Sequence, residues 1–284
     1  METQNENDLK EIVKQRYAEI AQQDKETNQS SCCGAGGCST EVYNIMSEDY
    51  NHLEGYNADA DLGLGCGLPT QFAKIKKGDV VIDLGSGAGN DAFVARHETG
   101  EAGKVIGIDF TPAMIEKARK NAELRGFHNV EFRQGDIEKM PVTSSVADVI
   151  VSNCVLNLVP NKDGVFKEIS RVLKPGGHFS ISDIVLTGQL PLNIKKAAEM
   201  LSGCVSGAIQ KQVYLELIKS NGFTNIIVQK EKVIIIPDDI LKNYLSENEI
   251  ESFKNSGPSI FSITVYAEKP LVEKDTCSEP GCCN

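Results

Sequence analysis

Apolar residues recur three and four positions apart at Leu9, Ile12, Val13, Tyr17 and Ile20, so the spacing predicts an amphipathic helix over 8–23. Residues 30–39 (SSCCGAGGCS) carry no apolar period and read as a loop. A second, weaker helix is expected over 41–50, then a glycine-rich turn over 62–69 (LGLGCGLP). From Gly78 the period changes. Short apolar runs at 80–84, 104–109, 130–134, 147–152 and 178–185 predict five strands. Helices are expected from Asn90, over 112–125 with Thr111 as cap, and over 162–173, the last ended by Pro175-Gly176-Gly177. Strands alternating with helices in this way predict a doubly wound α/β fold, a parallel sheet covered on both faces. Beyond 186, helices are expected over 191–208 and 212–220. The β-rich stretches 225–236 and 260–267 can add an antiparallel pair to the sheet edge. The chain divides into an N-terminal helical, Cys-rich extension (1–60), a core (61–187), a cap with the remaining strands (188–269) and a Cys-rich tail (270–284). With no repeat and no long linker, these read as one domain carrying a helical insertion after the fifth strand.

Charge narrows the partners. The 29 Lys and Arg against 40 Asp and Glu leave a net charge of −11, which repels nucleic acid and anionic lipid. A composition 40% hydrophobic and 24% charged is that of a soluble globular chain. No apolar run reaches the ~20 residues that span a bilayer, and the polar first thirty residues lack an export signal, so a cytoplasmic location is expected. Nothing calls for an oligomer, and a monomer is expected. Nine cysteines are the unusual feature, and in a reducing compartment thiols are metal-binding, catalytic or inert.

The segment VVIDLGSGAGND sets three glycines at alternate positions between a strand and a helix, where a ligand can approach the backbone and the helix N-terminus. Asp109 ends the next strand, where an acid accepts hydrogen bonds from ribose hydroxyls. Asn90 stands where the dinucleotide fingerprint needs glycine, which disfavours NAD, and Asp83 adds negative charge that suits a cationic ligand. Asp136 can bind an adenine amino group, with Ile137 covering the ring. Each residue alone reads equally as part of a turn at a strand end; together they point to a nucleoside site. The motifs DLGSGAG, GIDFTPAMIEKAR, GDIEKMP and RVLKPGG, spread over about residues 76–186, resemble the class I S-adenosylmethionine-dependent methyltransferases in order and spacing. That resemblance implies a Rossmann-like sheet with Gly85, Ser86, Gly87 and Gly89 along the methionine and ribose. It further implies Asp109 on the ribose, Met114 near the adenine, Asp136 and Ile137 on the adenine, and Asn153 facing the sulfonium.

A nitrogen or oxygen acceptor calls for a general base, and none is evident. His128 and His178 occupy structural positions, and His52 and His97 have no partner readable from the chain. Cysteine is better placed. Cys154 follows the fourth strand, Cys66 lies in LGLGCGLP, and Cys204 lies in GCVSG within the insertion, so the three can converge at one sheet edge. Inert packing remains the alternative for each. Their spacing does not suit structural zinc. Three thiolates suit a soft pyramidal ion such as trivalent arsenic, whose lone pair can attack a sulfonium methyl without a proton to remove. The segments LGLGCGLP, SNCVLNLVP and SGCVSGA resemble those of the arsenite methyltransferases, over about residues 40–225. This second resemblance implies that Cys66, Cys154 and Cys204 are the arsenite ligands, Cys154 and Cys204 sufficing for a methylated substrate. It also implies a fourth, redox cysteine, best matched by Cys38, although Cys32 and Cys33 leave that choice open. Arsenite would arrive as a thiol complex, with glutathione or thioredoxin as the external reductant. Two other readings stand beside it: a methyltransferase for a small organic acceptor such as a quinone or sterol carbon, and a non-catalytic arsenite-binding sensor. The latter would typically have lost its glycines or acid. Cys277, Cys282 and Cys283 are either merely exposed thiols or a site that captures arsenite and passes it inward.

Overall fold

The computed structural model describes residues 2–23, 48–194, 203–243, 245–255 and 257–271. Strands β1 (Val80–Leu84), β2 (Lys104–Asp109), β3 (Val130–Gln134), β4 (Ala147–Asn153), β5 (Leu173–Thr187), β6 (Thr224–Ile234) and β7 (Ser259–Glu268) form one sheet. Their order is β3-β2-β1-β4-β5-β7-β6. The first five strands are parallel, and β7 runs antiparallel between β5 and β6. The expected doubly wound sheet and the added antiparallel pair are both present. Strand order reverses between β1 and β4, and a crevice opens at the carboxyl ends of strands at such a point.

The described helices are α1 (Glu2–Ala21), α2 (Pro69–Phe72), α3 (Asn90–Thr99), α4 (Pro112–Leu124), α5 (Lys162–Val172), α6 (Gly203–Ser206), α7 (Lys211–Ser220), α8 (Asp238–Leu241) and α9 (Glu247–Asn255). In α5 the buried set Val165, Phe166, Ile169 and Val172 follows the helical period, and the Asn161 side chain caps the start by accepting from the Gly164 amide. Phe166 meets Phe179, Tyr214 and Phe223 beneath one face of the sheet, ring centres 5.8–6.4 Å apart. On the opposite face Phe93 packs edge-on against Phe132 among residues of α3 and α4. The last turn of α1 joins that layer, burying Ile20 and Ala21, while Lys117 donates to the carbonyls of Ala21 and Gln23.

Several local expectations change. Pro175-Gly176-Gly177 does not separate helix from strand, because β5 begins at Leu173 and runs through it with a register shift against β4. The Gly176 amide donates to Lys269 and the Lys269 amide to Gly177, so the breaker sits in a bulge, where proline is tolerated. Thr111 occupies the cap of α4, but its side chain makes no capping bond; its amide donates to Asp109 instead. Of the helix expected over 41–50, residues 41–47 lie outside the described residues and 48–50 are not helical. Of the helix expected over 191–208, residues 192–194 and Gly203–Ser206 are helical, 195–202 lie outside the described residues, and Gly207 and Ala208 are not helical. Helices α8 and α9 were not expected. Both add to a cluster of Ile234, Ile236, Leu241, Ile250 and Ile260 over the ends of the last strands. Among the described residues no helix is long and apolar enough to cross a membrane.

Candidate active site

The crevice at the strand-order reversal is lined by Asp83, Gly85, Ser86, Gly87, Asp109, Met114, Asp136, Ile137, Asn153 and Cys154, which brings nearly all the expected nucleoside residues together. The chain can turn at Gly85 and Gly87 because both have positive φ, 67° and 51°. A Cβ on Gly87 would meet nothing within 4 Å, so its backbone lies open to a ligand. Asp109 is tethered by the amides of Gly87 (3.1 Å) and Thr111 (2.8 Å). Gly89 is the exception: it does not line the crevice, and a Cβ there would come within 2.9 Å of the Phe93 and Phe132 rings. Its role is to let α3 start close to that aromatic layer. Asp136 also differs from expectation, because its carboxylate accepts from Lys10 of α1 at 2.7 Å, and Lys10 bonds Glu138 as well. Lys10, Val13 and Tyr17 place α1 along the crevice wall.

Asp83, Asp91 and Asp109 are all buried here, and no lysine or arginine among the described residues forms an ion pair with them. Burial, reinforced by Asp91 and Asp109, holds the Asp83 carboxyl well above the usual carboxylate range. Burial also raises Asp109, against the pull of the Thr111 and Gly87 amides. Asp91 is pushed up to about 6 by burial, with hydrogen bonds from Asn153, Tyr50 and Thr70 opposing. One oxygen of Asp83 and the Ser86 hydroxyl have no hydrogen-bond partner among the described residues. A buried acidic wall whose carboxyls a cation would favour in the charged form, with unpartnered acceptors and an open glycine backbone, fits a cationic nucleoside such as S-adenosylmethionine. Sequence reasoning missed Asp91, Tyr50 and Phe110. An acid in the first turn after a glycine loop, where it complements the helix N-terminus, was the available signal for Asp91. Tyr50 carries no pattern that could have found it.

The three cysteines converge beside this crevice. Cys66, Cys154 and Cys204 are buried in one cluster, at 1%, 4% and 4% exposure. Cys66 and Cys154 are joined as a disulfide with Cα atoms 5.7 Å apart, and the Cys204 thiol donates to the Cys154 carbonyl at 3.2 Å. Cys154 also lines the crevice, so it belongs to both halves of the site. Its φ of 62° is left-handed, a conformation that costs a non-glycine residue roughly 1–2 kcal/mol and turns the chain sharply after β4. With two of the three sulfurs in the disulfide, no group of three Cys, His, Asp or Glu among the described residues is arranged to hold a metal ion. Cys32, Cys33, Cys38, Cys277, Cys282 and Cys283 lie outside the described residues. Of the histidines, His97 pairs with Glu54 at 2.7 Å and His178 lies 2.6 Å from the Ala73 carbonyl, both away from the crevice.

A family model described as a methyltransferase domain matches residues 75–222. The chain is 40% identical to an arsenite methyltransferase of Halobacterium salinarum, over 93% of this chain and 67% of that one. It is 31% identical to the arsenite methyltransferase of Aquipseudomonas alcaligenes, over 84% of this chain and 69% of that one. The crystal structure of an arsenic(III) S-adenosylmethionine methyltransferase from Chlamydomonas reinhardtii superposes with a TM-score of 0.62 at 31% identity, covering 82% of this chain and 74% of that chain. These relatives are longer, and the chain spans about two thirds of the length of the two curated ones. Fold, crevice motifs and relatives agree: the chain belongs to the arsenite methyltransferases of the class I S-adenosylmethionine-dependent methyltransferase family.

Proposed function

We propose that this chain transfers methyl groups to trivalent arsenic held by the thiolates of Cys66, Cys154 and Cys204. The observation that carries the reading is the meeting of three buried cysteines, from three separate parts of the chain, at an anionic crevice that shares Cys154 with them. Bound S-adenosylmethionine supplies an electrophilic methyl on a positively charged sulfur, which the arsenic lone pair can take in line. Asp83, Asp91 and Asp109 offset the positive charge, Asp109 takes the ribose, and Met114 and Ile137 pack about the adenine. Arsenite arrives as a thiol complex. Each protein thiol that bonds to arsenic displaces one carrier thiol, which leaves protonated, so no general base is required. Holding donor and acceptor in near-attack geometry can lower the barrier by up to about 10 kcal/mol.

Methyl transfer raises arsenic from the trivalent to the pentavalent state. A return to the trivalent state needs two electrons, which a pair of thiols supplies on becoming a disulfide with loss of two protons. Cys66 and Cys154 are within bridging distance for this. Cys38 is a further candidate. Glutathione or thioredoxin then reduces the disulfide, and only the reduced pair can bind arsenic again.

Sulfur neighbours of arsenic can be counted by X-ray absorption on reduced protein freed of reductant and given arsenite without any carrier thiol. Three are expected with arsenite, and two after Cys204→Ser. Three sulfurs in that variant would refute the site. Cys66→Ser is expected to abolish methylation of arsenite while sparing that of monomethylated arsenic, since one ligand position there is a methyl group; equal loss on both substrates would contradict this.

A further inference from the structure

We infer that Asn153 is a positioning residue for Cys66: its side chain clamps the Cys66 loop to the residue beside Cys154 and thereby prepares the third sulfur ligand. Asn153 is the last residue of β4, and its backbone continues directly into Cys154. Its Oδ1 accepts from the amides of Cys66 (3.0 Å) and Gly67 (3.2 Å), and its Nδ2 donates to the Gly67 carbonyl at 2.8 Å. One side chain thus links two segments 87 residues apart, next to thiols that lie 88 residues apart in the chain. The amide is held in one orientation from behind, where Nδ2 also faces Asp91 at 3.2 Å and Tyr50 donates to Asp91 at 2.9 Å. A flipped amide would set its oxygen against that carboxylate. The loop lies so close that a Cβ on Gly65 would come within 2.6 Å of Nδ2. From the other side Ser262 donates to the Cys66 carbonyl at 2.6 Å.

Asn153 also lines the crevice, so a direct role on the cofactor is the competing assignment. Its hydrogen-bonding capacity decides between them. A side-chain amide has two N–H donors and two acceptor lone pairs. The Cys66 and Gly67 amides use both lone pairs, and the two donors are taken up among three acceptors, the Gly67 carbonyl, the Tyr50 hydroxyl and Asp91. No polar valence is left for the methyl donor.

This rests on the three-thiolate reading, and the consequence is selective. First methylation needs Cys66, whereas monomethylated arsenic needs only Cys154 and Cys204, so loosening the clamp should injure one substrate and spare the other. Three measurements on Asn153→Ala test it: kcat/KM on arsenite and on monomethylated trivalent arsenic, S-adenosylmethionine affinity by calorimetry, and the Cys66–Cys154 equilibrium in a glutathione buffer. In the last, the dithiol and one oxidised glutathione exchange for the protein disulfide and two reduced glutathiones. Loss of the clamp should shift that equilibrium about tenfold towards the dithiol and lower kcat/KM on arsenite by about tenfold or more. Because Asn153 also donates to Asp91, cofactor affinity should fall, so both rates are compared at saturating S-adenosylmethionine; there the methylated substrate should change less than about twofold. Ser262→Ala, which frees the same loop without touching the crevice, should move both affected quantities in the same direction by less. Equal losses on both substrates at saturating S-adenosylmethionine, or an unchanged disulfide equilibrium, would overturn the clamp. A wild-type protein that methylates neither substrate would overturn the arsenic reading instead, and the disulfide equilibrium would still judge the clamp.

Discussion

Asp91 shows how much of the site is decided by single buried groups. Burial pushes its carboxyl up to about 6, so across the mildly acidic range it passes from neutral to charged. Asn153, Tyr50, Thr70, Asp61 and Asp83 face it, and none of them supplies a positive charge. A sulfonium ligand does. Affinity for S-adenosylmethionine should therefore rise as pH is raised from about 5 to 7, and Asp91→Asn should flatten that part of the profile. Calorimetry across this range checks it; wild-type affinity that is flat with pH would contradict the charge argument. The cysteines at this scale were readable because Cys66 and Cys204 each adjoin glycine and Cys154 directly follows a strand. Tyr50 was not, and Asp91 was readable only as an acid in a helix's first turn, since their importance comes from burial together, and burial is a property of the folded chain.

At the scale of elements, α1 has the most direct consequence for binding. Its amphipathic spacing was visible, but nothing in it told that Lys10 would reach Asp136 and Glu138 on the far side of the crevice. Those three side chains are 31%, 43% and 16% exposed, so solvent screening keeps the contribution to about 1 kcal/mol or less. Lys10→Met should raise KM for S-adenosylmethionine about threefold and leave kcat unchanged. A fall in kcat alone would remove α1 from cofactor binding. Strand β1 and its glycine loop were fully legible, because a short apolar run followed by alternate glycines has few other uses. Strand β5 was not, because its first residues break the local pattern and are held by Lys269 at the start of the chain segment after β7. Helices α8 and α9 went unseen because they are short and become apolar on one side only against the cap cluster.

The whole molecule is acidic, and its buried acids give it an unusual dependence on pH. Asp183, like Asp83, Asp91 and Asp109, is raised by burial, in its case to about 7. An acid raised in the folded state binds more protons there than in the unfolded chain, so its stabilising effect is complete below about 4 and is lost as pH rises through the raised value. Glu131 behaves oppositely. Arg133 and Lys104 hold it at about 2, so its contribution is present above about 4.5 and fades only in stronger acid. Between these windows the ligand-free protein should unfold at a higher temperature at pH 5.5 than at pH 8, by several degrees. Asp183→Asn should narrow the gap, and a melting temperature that rises with pH would contradict it. The doubly wound sheet that carries this pattern could be read from alternating periods alone, whereas the redox state of the thiols could not. Reduced protein incubated with arsenite, S-adenosylmethionine and excess thiol, followed by separation of arsenic species, tests the central claim most directly. Mono- or dimethylated arsenic is the expected product; arsenic that stays wholly inorganic, in protein that binds the methyl donor, would contradict it.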